Sequence, residues 1–356
     1  MKKNYIYSLV LLGGVFLLSG CSVGTGGGLG SQLGDGGMFK SIDTGNTWGQ
    51  VVEVLATQGQ ILRFLNEDIR EVTMDPQDHN AVFVGTKTAG LLYSYDGGLS
   101  WTQDPIFSNA DVKSVAIDHF DKCKWVIALP TKVYRTLDCG RGWREMLTEP
   151  RQDYIFKEII TDHFNRNFLY VANNREIIKS TDYGETWKTL VRFSSDITDI
   201  LMDRNDSRMI YVTFWGGGIQ KSTDGGLSWK VVSDSLSKER GGANIRTIVQ
   251  DLTIENAFFI VNDYGIFKTL DAGTTWTSLS LLTPPDSVDI WGLGLDPKDS
   301  NIIYYATDTT FYKTHDGGEN WKTSRLPTQR RPSALKVDYK DGNVLYLGTT
   351  YVGKGR

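Results

Sequence analysis

Short runs of apolar and β-branched residues, each closed by a polar turn, recur along the chain in a fixed order. The first run of each set ends in aspartate: IREVTMD at Asp75, VKSVAID at Asp118, FKEIITD at Asp162, ITDILMD at Asp203, IRTIVQD at Asp251 and IWGLGLD at Asp296. About ten residues later comes a second run: VFVGT, WVIAL, LYVAN, IYVTF, FFIVN and IYYAT. A third run, such as GLLYSYDGG or GIQKSTDGG, leads into a turn rich in Gly, Ser, Thr and Asp. Runs of this kind between such turns predict strands. Each set reads strand, turn, strand, loop, strand, turn, strand.

The turn after the third strand carries its own motif, [Ser/Thr]-x-Asp-x-Gly-x-x-Trp. It occurs seven times, at Asp43, Asp96, Asp138, Asp182, Asp224, Asp271 and Asp316, with steps of 53, 42, 44, 42, 47 and 45 residues. Seven of the ten tryptophans close these motifs. A repeat of this length built from strands predicts one four-stranded propeller blade per repeat. The first motif lacks the two strands that should precede it, and the chain ends in SALKVDYKDGNVLYLGTT, which supplies two strands and no motif. The expected fold is all-β: a single seven-bladed β-propeller of four-stranded blades, closed by one composite blade from both termini. Sharing a blade removes free sheet edges.

The motif resembles the Asp-box, or BNR, repeat, and the resemblance covers all but the N-terminal region. It implies structural work. The Asp accepts backbone hydrogen bonds across the hairpin, the Gly adopts positive φ, and the Trp packs against its own or the next blade. The same alignment places Cys123 at the start of a second strand and Cys139 in the box turn of the same blade. A disulfide between them fits that arrangement and an exported setting.

Composition adds little to the fold. The chain has 356 residues, is 40% hydrophobic and has a net charge of −4, which offers no general attraction for nucleic acid. The N-terminus changes the picture more. Lys2 and Lys3 precede an apolar stretch over 6–18 that ends in Leu18-Ser19-Gly20-Cys21. This resembles the lipobox of bacterial lipoproteins. It implies a signal peptide over 1–20 and lipid on Cys21, anchoring the protein extracytoplasmically, on an outer membrane where the cell has two. Residues 21–37 read as a Gly-rich tether, 38–352 as the propeller and 353–356 as a tail.

Propellers usually bind at the end opposite the boxes, where the innermost strands begin. Five residues before each first-strand Asp stand Arg70, Lys113, Lys157, Thr198, Arg246 and Trp291, with Ser333 in the composite blade. Four of these seven are basic, and with the acidic residues at the next position a mouth of mixed charge with an outer basic bias is expected. Trp215, Arg330 and Arg331 lie in loops of the same end. The next positions include Glu71, Glu158 and Asp199, which could supply the acid and base of glycoside hydrolysis. The four histidines, His79, His119, His163 and His315, map to the box end, which argues against a histidine centre in the channel. No cofactor and no metal are expected.

Among Asp-box relatives, the chain lacks the arginine triad and Arg-Ile-Pro motif of sialidases. It is similar to xyloglucanase-type hydrolases in the style of MDPQDHNAVFVGT, but those place substrate between two propellers. Sortilin-type receptors share the repeat style with more blades. In size, blade count and anchoring, the chain resembles the photosystem II stability/assembly factor family. That resemblance implies a monomeric, non-enzymatic scaffold binding an envelope or membrane protein. A polysaccharide partner or glycan-active enzyme is the alternative.

Overall fold

In the computed structural model, residues 34–55 and 61–353 are described. The signal segment, Cys21, most of the tether and the tail beyond Gly353 lie outside the described residues. Six four-stranded antiparallel sheets are built from consecutive strands: residues 69–103, 114–148, 156–192, 196–231, 245–278 and 292–325, here blades 1 to 6. Blade 7 is composite. Arg331–Val337 and Leu345–Thr350 form its inner half, and Met38–Ser41 pairs with Leu345–Thr350 before Gly49–Gln50 completes the sheet. The long first step holds a hairpin, Glu53–Leu55 with Ile61–Arg63, which adds to the outer edge of blade 1 through a parallel bridge from Val54 to Trp101.

Apolar pattern explains the packing. The second strands Val82–Thr86, Trp125–Ala128, Leu169–Asn173, Phe258–Asn262 and Ile303–Ala306 are buried at every position. Both faces of such a strand meet neighbouring blades, so continuous apolar runs replace alternation. The core divides into seven apolar clusters, one at each seam between adjacent blades.

The boxes are closed hydrogen-bond circuits. In box 222–229, Ser222 Oγ donates to Asp224 Oδ1 (2.8 Å) and accepts from the Gly226 N–H (2.8 Å). Asp224 accepts from the Ser228 N–H (2.9 Å) and hydroxyl (2.6 Å). These donors, Ser228 first, pull the Asp224 pKa down to about 2. The Gly two residues after each Asp has φ between 77° and 101°. The residue before that Gly is also left-handed, even as Thr44, Cys139, Tyr183 and Ala272. Only Trp101 and Trp276 of the box tryptophans are buried; the other five are partly exposed. Cys123 and Cys139 are joined as a disulfide, and the Cys139 N–H donates to the Cys123 carbonyl.

A second device ties one blade to the next. The residue before the box Ser or Thr is basic in six of seven repeats. Lys40 Nζ donates to the Gly97 carbonyl (2.8 Å), Lys221 to Ala272 (3.2 Å), Lys313 to Thr44 (3.2 Å), and Arg135 donates to Tyr183. Every acceptor is the residue after the box Asp of the following blade. Two of these latches, Lys313 and Lys40, hold the two sides of the composite blade.

Candidate functional site

The innermost strands begin around a cavity of about 650 Å³ at the end opposite the boxes. Arg70, Lys113, Lys157, Thr198, Arg246, Trp291 and Ser333 all line it, as does Trp215. Five strands slip register there, between Ile69 and Glu71, Phe156 and Glu158, Ile197 and Asp199, Ile245 and Thr247, and Pro332 and Ala334. Each bulge leaves one residue unpaired: Arg70, Lys157, Thr198, Arg246 or Ser333. A bulge rotates the strand, so this residue and its successor both reach the cavity.

The expected basic bias needs correction. Asp111 takes a two-pronged ion pair from Arg70 (2.9 and 3.1 Å) and a third contact from Lys113 Nζ (2.7 Å). Arg246 Nη2 donates to Asp263 (2.7 Å) and Asp289 (2.5 Å). Lys157 Nζ instead donates to the Ile197 carbonyl (2.5 Å), and burial lowers its pKa. Among the described residues, Lys157, Arg331 and the cavity-lining Lys336 have no carboxylate within 4 Å. Arg330 turns toward blade 1, donating to the Asn66 carbonyl (3.0 Å) and Asp68 (3.4 Å).

The two mouth tryptophans differ. Trp291 has guanidinium groups over its ring, Arg246 at 4.2 Å and Arg331 at 4.0 Å, and its indole donates to Asp308 (2.7 Å). Trp215 is 49% exposed, with Arg246 at 5.5 Å. Of the two, Trp215 offers the open aromatic surface.

The three carboxyl groups are straps between blades. Glu71 Oε2 accepts from the Val115 N–H (2.7 Å), Glu158 Oε2 from Ile200 (3.1 Å), and Asp199 Oδ2 from Ile248 (3.0 Å) and the Thr247 hydroxyl (2.6 Å). Ser114 does the same for Ile159 (3.1 Å). Each acceptor sits one residue past the mouth position and reaches the innermost strand of the following blade. Burial pushes the Glu158 pKa well up, reinforced by the neighbouring Asp199 and Glu71. Burial raises Glu71 as well, opposed by Lys336.

Two family profiles cover most of the propeller between them. One, described as photosynthesis system II assembly factor YCF48, matches residues 64–216; the other, described as sortilin, neurotensin receptor 3, matches residues 217–349. The chain is 24% identical over 330 residues to xyloglucanase Xgh74A of Acetivibrio thermocellus, covering 78% of this chain and 36% of that protein. The chain therefore spans about a third of the length of that relative. It is 23% identical to the photosystem II assembly lipoprotein Ycf48 of Synechococcus sp. (strain CC9902), covering 71% of this chain and 74% of the relative. A solved structure, YCF48 bound to D1 peptide, superposes with a TM-score of 0.62 at 15% identity, covering 82% of this chain and 94% of that one. The chain resembles the Asp-box propellers in sequence and in fold.

The fixed spacing back from each strand-ending Asp brings seven lining positions together. It did not find Asp111, Asp263, Asp289 or Lys336. Asp263 lies in a loop between strands and Asp289 precedes a strand, where the repeat gives no register. The histidine expectation also changes. His119 and His163 do lie at the box end, yet they line a second cavity of about 260 Å³ that shares Glu71 and Glu158 with the mouth. The two cavities meet at Glu71, Glu158, Ile200 and Leu201.

Proposed function

We propose that this propeller is an extracytoplasmic scaffold, anchored through Cys21, that holds a segment of an envelope or membrane protein at the mouth. The observation that carries this reading is the division of labour among the mouth residues. The carboxyl groups are committed to strapping blades, and one tryptophan is covered by guanidinium groups. What remains is the open ring of Trp215 and three cations without a carboxylate partner, Lys157, Arg331 and Lys336, a set suited to an acidic, partly apolar peptide segment. The similarity to an assembly lipoprotein over most of that protein's length supports the same reading, as does the peptide complex of a protein with this fold. Among the described residues, no helix is long and apolar enough to cross a membrane.

The test is crosslinking capture from native membranes with the wild-type lipoprotein and a Lys157→Ala/Arg331→Ala/Lys336→Ala variant. A defined membrane-protein partner, lost in the variant and weakened by salt, is the expected result. Capture that ignores the variant removes the mouth from the account.

A second reading is glycan hydrolysis, favoured by the xyloglucanase similarity and by the elevated pKa of Glu158, which suits a general acid. Release of reducing sugar from xyloglucan, abolished by Glu158→Gln, would establish it in place of the scaffold.

A further inference from the structure

The box end of the channel holds a pair of imidazoles with ligand geometry. His119 and His163 each follow a strand-ending aspartate, so the repeat sets them on neighbouring blades. Asp118 and Asp162 fix the two turns by accepting from Phe120 (2.8 Å) and Phe164 (2.8 Å). His163 Nε2 lies 3.1 Å from the Asp203 carbonyl, and a carbonyl can only accept, so Nε2 carries the hydrogen. In the neutral ring the lone pair is then on Nδ1, which faces His119 Nε2 at 3.3 Å. A histidine that donates its far N–H to a backbone carbonyl while its near nitrogen stays free is the orientation that metal-bound imidazoles adopt.

The spacing fits as well. Two imidazole nitrogens bound tetrahedrally at ~2.0–2.1 Å stand ~3.3 Å apart. The rings meet at 66° with centroids 4.7 Å apart, and both line the 260 Å³ cavity, which has room for water ligands.

We propose that His119 and His163 bind a divalent transition-metal ion at the box end of the channel, with water completing its coordination. Imidazole donors suit copper, zinc and nickel. No group of three or more His, Cys, Asp or Glu forms a site among the described residues. Arg204, at the equivalent position of the following blade, opposes a cation. The site is therefore a two-nitrogen one of moderate affinity.

The experiment is a titration of chelator-stripped full-length protein with Cu(II), read by electron paramagnetic resonance, and with Zn(II), read by calorimetry. The expected result is one equivalent bound, with nitrogen hyperfine structure from two imidazoles. His119→Ala and His163→Ala should each weaken binding at least tenfold, and Arg204→Ala should tighten it severalfold. His79→Ala and His315→Ala should leave it unchanged. Among the described residues, His119 bonds only His163 through its side chain, so His119→Ala tests the site even where His163→Ala disturbs the turn. An equal-affinity site persisting in the double His119→Ala/His163→Ala variant overturns the proposal. So does the lack of a one-equivalent site, which would leave the pair as an N–H···N hydrogen bond alone.

Discussion

The two ends of the propeller follow opposite rules. At the box end the same Ser/Thr–Asp bond is written seven times inside its own hairpin, and four of the seven boxes also take a latch from the preceding blade. At the mouth the residue changes around the ring, with five residue types over seven blades. Arg70, Lys113, Lys157, Thr198, Arg246, Trp291 and Ser333 occupy one position of the repeat, and their partners come from loops of unequal length. Repetition marks what folding requires of every blade, and variation marks what a partner can read.

The largest expected effect breaks the box-and-blade side of this contrast. Deleting residues 345–356 removes the second strand of the composite blade, which joins the N-terminal strand Met38–Ser41 to the rest. Two seam clusters open at once. The cooperative thermal transition seen by circular dichroism should disappear altogether, not only shift.

Trp101 and Trp215 make a sharper comparison at single residues. Trp101 is fully buried and its indole donates to the Val51 carbonyl (2.9 Å). Trp101→Ala should cost about 3–5 kcal/mol in denaturant unfolding. Trp215→Ala should stay within about 0.5 kcal/mol of wild type while reducing partner capture. Equal losses in both variants would erase the distinction between the ends.

Ser222→Ala tests a single box. The hydroxyl is buried and serves the Gly226 N–H and the Asp224 carboxylate, so its loss should cost about 1–3 kcal/mol in the same assay. The triple mouth variant, with more atoms removed, should cost less.

The smallest effect lies in the channel between the ends. Glu158 has a folded-state pKa above the ordinary 4.5. Its contribution to stability is therefore fully present below that ordinary value and is lost as pH rises through the elevated one. Melting temperature measured across this window should decline in wild type, and the decline should shrink in Glu158→Gln. An unchanged slope would mean that Glu158 is ionised throughout.

The fold was legible because each blade repeats the requirements of the others, so errors in any one segment are corrected by the remaining six. The mouth positions were legible for the same reason, since they lie a fixed distance from an aspartate that ends each innermost strand. The bulges were not, because a bulge changes pairing without changing the count along the chain. The straps read as candidate catalytic carboxyls because their acceptors are backbone N–H groups of another blade, which have no sequence identity. The latch did leave a trace, a basic residue before six of seven boxes, but one that also reads as an ordinary solvated position.

The latch has a consequence for assembly. Its donor lies on one blade and its acceptor on the following one, so a latched blade offers a plug on one side or a socket on the other. Contacts of this head-to-tail kind close into a ring or continue without limit. Blade 6 presents Lys313 and the composite blade presents Lys40. If the composite blade does not form, the plug of one molecule faces the socket of another, and the same bonds that close the ring would join separate chains end to end. Closure from both termini thus satisfies, within one chain, contacts that would otherwise be open to another.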